Sequence, residues 1–136
     1  MANDAIDIAV SDSIHSIDYI ASYFSQFALQ DIDEAREKLM HAESAAHSIC
    51  IEADVKSRVA AVTDLYMSML LTYIIDTLTE RQLMPEDAAE KYAKNDACIK
   101  KKMDDALTAF YDPIDAALLA MMKDFSLQCM HGICDA

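Results

Sequence analysis

The segment CMHGIC, residues 129–134, places Cys129, His131 and Cys134 beside Gly132, the only glycine in the chain. Thiolates and imidazoles are zinc ligands, and Cys98 or Cys50 could complete a tetrahedral set. The C-x-H-x-x-C spacing lacks, however, the two C-x-x-C-like halves of a paired zinc knuckle. The same residues also make an ordinary helix end. Cys129 packs in the last turn as a small hydrophobe, His131 meets the negative end of the helix dipole, and Gly132 supplies the cap. We read this segment as a helix terminus, with a metal or redox centre as the competing reading.

His41 and His47, near Glu37, Glu43 and Glu52, form the second histidine-bearing cluster. Bundles that hold two metals use Glu-x-x-His, whereas Glu37–His41 and Glu43–His47 are both four apart. Six positions separate the two histidines, about 120° around a helix, so one straight helix cannot aim both at a single ion. They read as two surface helix pairs. No basic residue follows closely in AAHSIC to hold a phosphoryl group on His47, and His15 stands alone on a polar face.

Nucleophilic and phosphate chemistry find no support either. No serine sits in a glycine-flanked elbow, and a single glycine cannot build a glycine-rich phosphate loop. The run Lys100, Lys101, Lys102 offsets Asp104 and Asp105 on a solvated face. We expect no enzymatic activity, no metal and no cofactor.

The elements that would carry these residues are helical. The 136 residues are 54% hydrophobic and 26% charged, with one glycine and two prolines. That shortage of turn-makers argues against the many tight turns of an all-β or α/β fold. The length suits a single domain over residues 1–136 that needs no disulfide to fold. The expected fold class is all-α, a single-domain bundle of about five helices, mostly antiparallel.

Apolar residues recur in steps of three and four along the chain. Ile6, Val10, Ile14, Ile17, Ala21, Phe24 and Ala28 mark a first helix over about 3–29. Asp31 as N-cap with Glu34 behind it starts a second, carrying Ile32, Ala35, Leu39, Ala42, Ala46, Ile49 and Ala53. A break at Ala53–Asp54 leads into a third, with Val55, Val59, Val62, Tyr66, Met69, Tyr73 and Ile74. Without that break the two would merge into a rod that only an oligomer could stabilise. Pro85 opens a fourth helix, with an interruption at Asn95–Asp96, through Tyr92, Ile99, Met103, Ala106, Leu107 and Phe110. Asp112 and Pro113 in YDPID open the fifth, which buries Ile114, Leu118, Met121, Met122 and Phe125. Most of the nine methionines read as core filling.

The stretch LYMSMLLTYII, residues 65–75, is bounded by Asp64 and Asp76. Eleven helical residues span about half a bilayer core, so we expect a buried segment and no membrane span. MANDAIDIAV carries Asp4 and Asp7 and no basic n-region. With four cysteines read as free thiols, the expected location is cytoplasmic.

Charge carries the sharpest functional expectation. The net charge is −13, and residues 1–54 hold 11 acidic against 2 basic side chains. Such a surface repels nucleic acid and attracts a basic protein. A helix over residues 3–29 is about 40 Å long and offers Asp4, Asp7, Asp12 and Asp18, about one charge per 10 Å. Duplex DNA carries one about every 3.4 Å along each strand, so this helix alone does not imitate it. Asp31, Asp33, Glu34, Glu37 and Glu43 on the next segment narrow the gap. The bland counterpart is acidity that only keeps the protein soluble.

The expectation is a non-catalytic protein–protein interaction module, a small acidic inhibitor or adaptor. It would bind a basic surface, such as that of a nucleic-acid-processing protein, through those nine carboxylates. Small inhibitors and immunity proteins of bacteria and their viruses share this size and charge by analogy. The alternative is a homo-oligomeric assembly subunit pairing through apolar helix faces, a homodimer being its simplest form.

Overall fold

The computed structural model describes the backbone over residues 2–130 and the side chains over residues 4–124. The all-α class holds: the described residues form four helices and no strand. They are α1 (Ala2–Met40), α2 (Ala45–Glu80), α3 (Glu86–Asn95) and α4 (Ala97–Met130). Four replace the expected five because the chain turns at different places.

No break falls at residues 29–31. Ile32, Ala35 and Leu39 continue the buried stripe of Ala28, so core burial carries α1 through Asp31, which is interior and not an N-cap. The first turn comes at residues 41–44, where Ser44 caps α2: its Oγ accepts the His47 N–H at 3.1 Å. The expected break at Ala53–Asp54 is likewise absent, and α2 runs on to Glu80. Ala46, Ile49 and Ala53 therefore do not share the core stripe and Ser48 is buried instead, while Val55 is buried as its own stripe predicts.

The C-terminus of α2 is a Schellman turn. Gln82 adopts φ 59°, its N–H bonds Thr79 O at 3.0 Å, and Leu83 N–H bonds Leu78 O at 3.0 Å. Pro85 immediately precedes α3 in extended backbone, with no side-chain cap hydrogen bond, and the Asn95–Asp96 interruption is present. Asp96 ends α3 through its N–H on Tyr92 O and starts α4 by accepting the Ile99 N–H on Oδ2 at 3.0 Å. The boundary expected at YDPID is not one. Pro113 lies inside α4, between buried Phe110 and Ile114. Gly132 and the terminal segment 131–136, with Cys134 and His131, lie outside the described residues, as do the side chains of Phe125 and Cys129.

The chain divides into two compact units, and α1, α2 and α4 each contribute to both. Unit 1 comprises Met1–Ser22 and Thr63–Phe110. Its core sets Val10 and Ile17 of α1 with Tyr66, Leu70, Ile74 and Leu78 of α2, Ala89 and Ala93 of α3, and Ile99 and Met103 of α4. The ring of Tyr66 stacks on Phe110, with centroids 4.3 Å apart and planes 5° apart. Buried Ser13 donates its hydroxyl to Ala9 O at 2.8 Å. Within this unit α1 and α2 run antiparallel: Asp12 meets Arg81, and Asp18, further along α1, meets the earlier Tyr66.

Residues 65–75 were expected to be buried, and only one face is. Tyr66, Leu70 and Ile74 are fully buried, while Leu65, Ser68, Thr72 and Tyr73 face out. By length and composition alone, α2 is the one described helix that could cross a membrane.

Unit 2 comprises Tyr23–Val62 and Tyr111–Ala136. Ala28, Ile32, Ala35 and Leu39 of α1 pack with Val55 and Val59 of α2 and Ile114, Leu118 and Met121 of α4. Arg36 clasps Asp124 Oδ2 through Nε at 2.7 Å and Nη2 at 2.6 Å. Both partners are about two-fifths exposed, so the pair contributes no more than about 1 kcal/mol.

Ser48 is buried at 1% exposure and its Oγ has no hydrogen-bond partner among the described residues. An orphaned buried hydroxyl is destabilising by about 1–3 kcal/mol. Ser48→Ala should therefore raise stability by about 1 kcal/mol in urea unfolding, helped by the higher helix propensity of alanine. A destabilised variant would show that the hydroxyl has a partner.

Candidate protein-binding face

Because α1 is unbroken, it carries eight of the nine carboxylates singled out above, and Glu43 lies in the turn that follows. Eight of the nine are exposed; Asp31 is half-buried.

In unit 1, the turn of about 100° per residue puts Asp4, Asp7 and Asp18 within an arc of about 60°, outside the arc that buries Val10 and Ile17. Asp12 is rotated from them and pairs with Arg81 at 2.9 Å. Asp18 accepts the Tyr66 hydroxyl on Oδ1 at 3.1 Å. Burial pushes the Tyr66 phenol well above its ordinary range, and the Asp18 charge and hydrogen bond push the same way. Asp4 and Asp7 make no hydrogen bond or ion pair among the described residues. Asp7 acts on Tyr92 at a distance: burial first, then Asp96 and Asp7, raise that phenol.

In unit 2, Asp31 lies 3.9 Å from Arg58 Nη1, and Arg58 Nε binds Asp54 at 3.1 Å. Asp33, Glu34 and Glu37 are exposed and have no ionic or hydrogen-bonded partner among the described residues. Two grooves adjoin them. One, of about 350 Å³, is bordered by Asp31, Glu34, Lys38, His47, Cys50 and Arg58, among others. The other, of about 420 Å³, is bordered by Glu34, Glu37, Lys38, His41 and His47. Across the two, Asp31, Glu34, Glu37 and Asp54 stand against Lys38 and Arg58, four carboxylates against two cations. The grooves are acidic, and Glu34 belongs to both.

The histidines do not form the helix pairs that their spacing suggests. The turn at residues 41–44 separates them, so Glu43 is not helical and its backbone N–H donates to His47 Nδ1 at 3.4 Å. Both imidazoles border the second groove, yet no group of three or more His, Cys, Asp or Glu among the described residues could hold a metal ion. The proposed Cys129–His131–Cys134 set lies outside the described side chains. Cys50 and Cys98 are free and exposed. Lys100 and Lys101 are exposed on α4, and Lys102 reaches Ser11 Oγ at 3.4 Å.

Sequence reasoning passed over the aromatic residues of this face. Tyr23 and Phe27 are 57% and 60% exposed, beside the acidic segment of the same helix. Their signal was present in the spacing: four apart, and off the three-four stripe that marks the core.

No known protein family, curated protein or solved structure matches this chain.

Proposed function

We propose that this protein is a non-catalytic binding module, an acidic inhibitor or adaptor whose α1 helix meets a basic surface on a protein partner. The observation that carries the reading is in unit 2. Glu34 and Glu37 stand unneutralised at the grooves while Tyr23 and Phe27 are exposed on the same helix. Large aromatics supply affinity at protein interfaces, and charges around them steer encounter and select the partner. Asp31, Asp33 and Glu43 add negative charge in unit 2, and Asp4, Asp7, Asp12 and Asp18 do so in unit 1. Nucleic acid is repelled by it, and a basic protein, including a nucleic-acid-processing one, is drawn to it.

Salt tests this directly. Association with a basic partner should weaken by about tenfold or more between 50 and 500 mM NaCl, mainly through slower association. Binding that ignores salt would remove charge as the driver.

A homo-oligomeric assembly subunit is the second reading, and one observation favours it. The outward face of α2 over residues 65–75 has no charge and exposes Leu65 and Tyr73. Light scattering distinguishes the two: self-association through that face should survive, or strengthen, as salt screens the repulsion between copies of net charge −13.

A further inference from the structure

Within unit 2, α1 presents two seams. Ala28, Ile32, Ala35 and Leu39 form the buried one. Tyr23, Phe27, Gln30, Glu34 and Glu37 form another, advancing by four, three, four and three residues, and all five are exposed. At about 100° per residue the second seam lies about 150° around the helix from the first. Alternating three-four spacing is the pattern by which one helix receives another, since it keeps successive side chains facing a single partner.

We propose that this outer seam is a docking surface for an amphipathic basic α-helix of a partner protein. The proposal rests on the reading of the protein as an acidic binding module and states which element of the partner it receives. The seam is polarised. Its amino-terminal half is aromatic, Tyr23 and Phe27, and its carboxy-terminal half is acidic, Glu34 and Glu37. The matching helix places large apolar side chains against the first half and Lys or Arg against the second. Tyr23 to Glu37 covers about 21 Å, about four turns, a usual length for such an element.

Charge selects the occupant. A second copy in parallel register would set Glu34 against Glu34 and Glu37 against Glu37. Antiparallel about Gln30, it would set Glu37 against Tyr23. Neither arrangement is complementary. An anionic lipid surface is repelled by the same carboxylates. A cationic helix satisfies both halves at once, and the acidic grooves beside Glu34 accept the ends of its long side chains.

The test uses the full chain and three synthetic 21-residue helical peptides of one composition. The first has a leucine half-seam followed by a lysine half-seam, the second has the reverse order, and the third is scrambled. Titration by fluorescence anisotropy should show one ordered peptide binding at least tenfold tighter than the scrambled one. Tyr23→Ser with Phe27→Ser should weaken it at least tenfold. Glu34→Lys with Glu37→Lys should do the same and be rescued by a peptide with glutamate for lysine. A second readout needs no variant: the ordered peptide should slow alkylation of Cys50, which borders the groove at Glu34, and leave Cys98 unaffected. Equal binding by all three peptides, or unchanged Cys50 reactivity, overturns the seam and leaves the acidic-surface reading standing. Failure of every basic peptide to bind overturns both.

Discussion

Replacing Tyr66 with alanine is expected to destabilise the protein by about 3–5 kcal/mol, a large share of the margin by which a domain of this size folds. Tyr66 is fully buried and stacks on Phe110. Truncation removes the ring and leaves a cavity beside Phe110 that close-packed neighbours fill only in part. A double-mutant cycle with Phe110→Ala should recover a coupling of about 0.5–1.5 kcal/mol for the stacked pair. Tyr66→Phe keeps the ring and loses the hydrogen bond to Asp18, so it should cost about 1–2 kcal/mol, near the low end for a carboxylate acceptor because Asp18 can take up water. Urea unfolding measures all four. A Tyr66→Ala variant within about 1 kcal/mol of wild type would be incompatible with this core.

The same residue sets an alkaline limit. Its phenol is held above the ordinary value of 10 by burial first and by Asp18 second. An acid whose folded pKa is raised adds stability that is complete below its unfolded pKa and is lost as pH rises through the folded one. Stability should therefore fall as pH climbs above 10. Tyr66→Phe should flatten that fall. An unchanged slope in the phenylalanine variant would assign the alkaline transition to other groups.

Pro113→Ala should stabilise the protein by about 2 kcal/mol. Proline in a helix interior lacks the N–H that would bond the carbonyl four residues back, and its ring crowds that carbonyl, a penalty of about 3 kcal/mol. Here that carbonyl belongs to Ala109. The gain is reduced because alanine frees the unfolded chain. If α4 instead began at Pro113, as the YDPID motif suggests, proline would be in its favoured first position and the substitution would be neutral or harmful. The sign of the change in urea midpoint decides between the two.

These positions show how much of the fold was legible. The three-four recurrence located much of the buried face: Val10, Ile17, Ala21, Ile32, Leu39, Val55, Val59, Ile99, Phe110 and Ile114 are all buried, whereas Ala46, Ile49, Ala53, Tyr73 and Met122, on the same recurrence, are exposed. Helix ends were another matter. Asp31 and Pro113 are good start signals locally, and both lie in helix interiors. A capping residue offers about 1 kcal/mol, whereas continuing a helix keeps the next two or three core side chains in register, and each is worth more. The turn that does occur, at residues 41–44, depends on Ser44, which no glycine or proline marks out in the sequence.

The acidity of the candidate face was legible as composition, and its geometry was not. That residues 1–54 are acidic needed only counting. Which carboxylates remain available did not follow from counting: Asp12, Asp18 and Asp31 are engaged by Arg81, Tyr66 and Arg58 from α2, residues 27 to 69 positions away. The spacing of Tyr23 and Phe27 sets them off the core stripe, but that they are exposed is settled only once the opposite face of α1 is filled.

The sequence by itself determined that this chain is helical and acidic toward its amino end, because turn-forming residues and charge are properties of composition. Tertiary structure decided where the helices stop, which carboxylates are left without partners, and that α1 carries an aromatic and acidic seam facing away from its core. Those outcomes depend on which side chains meet across helices, and a helix end or an ion pair settles only after the packing of its neighbours has been chosen.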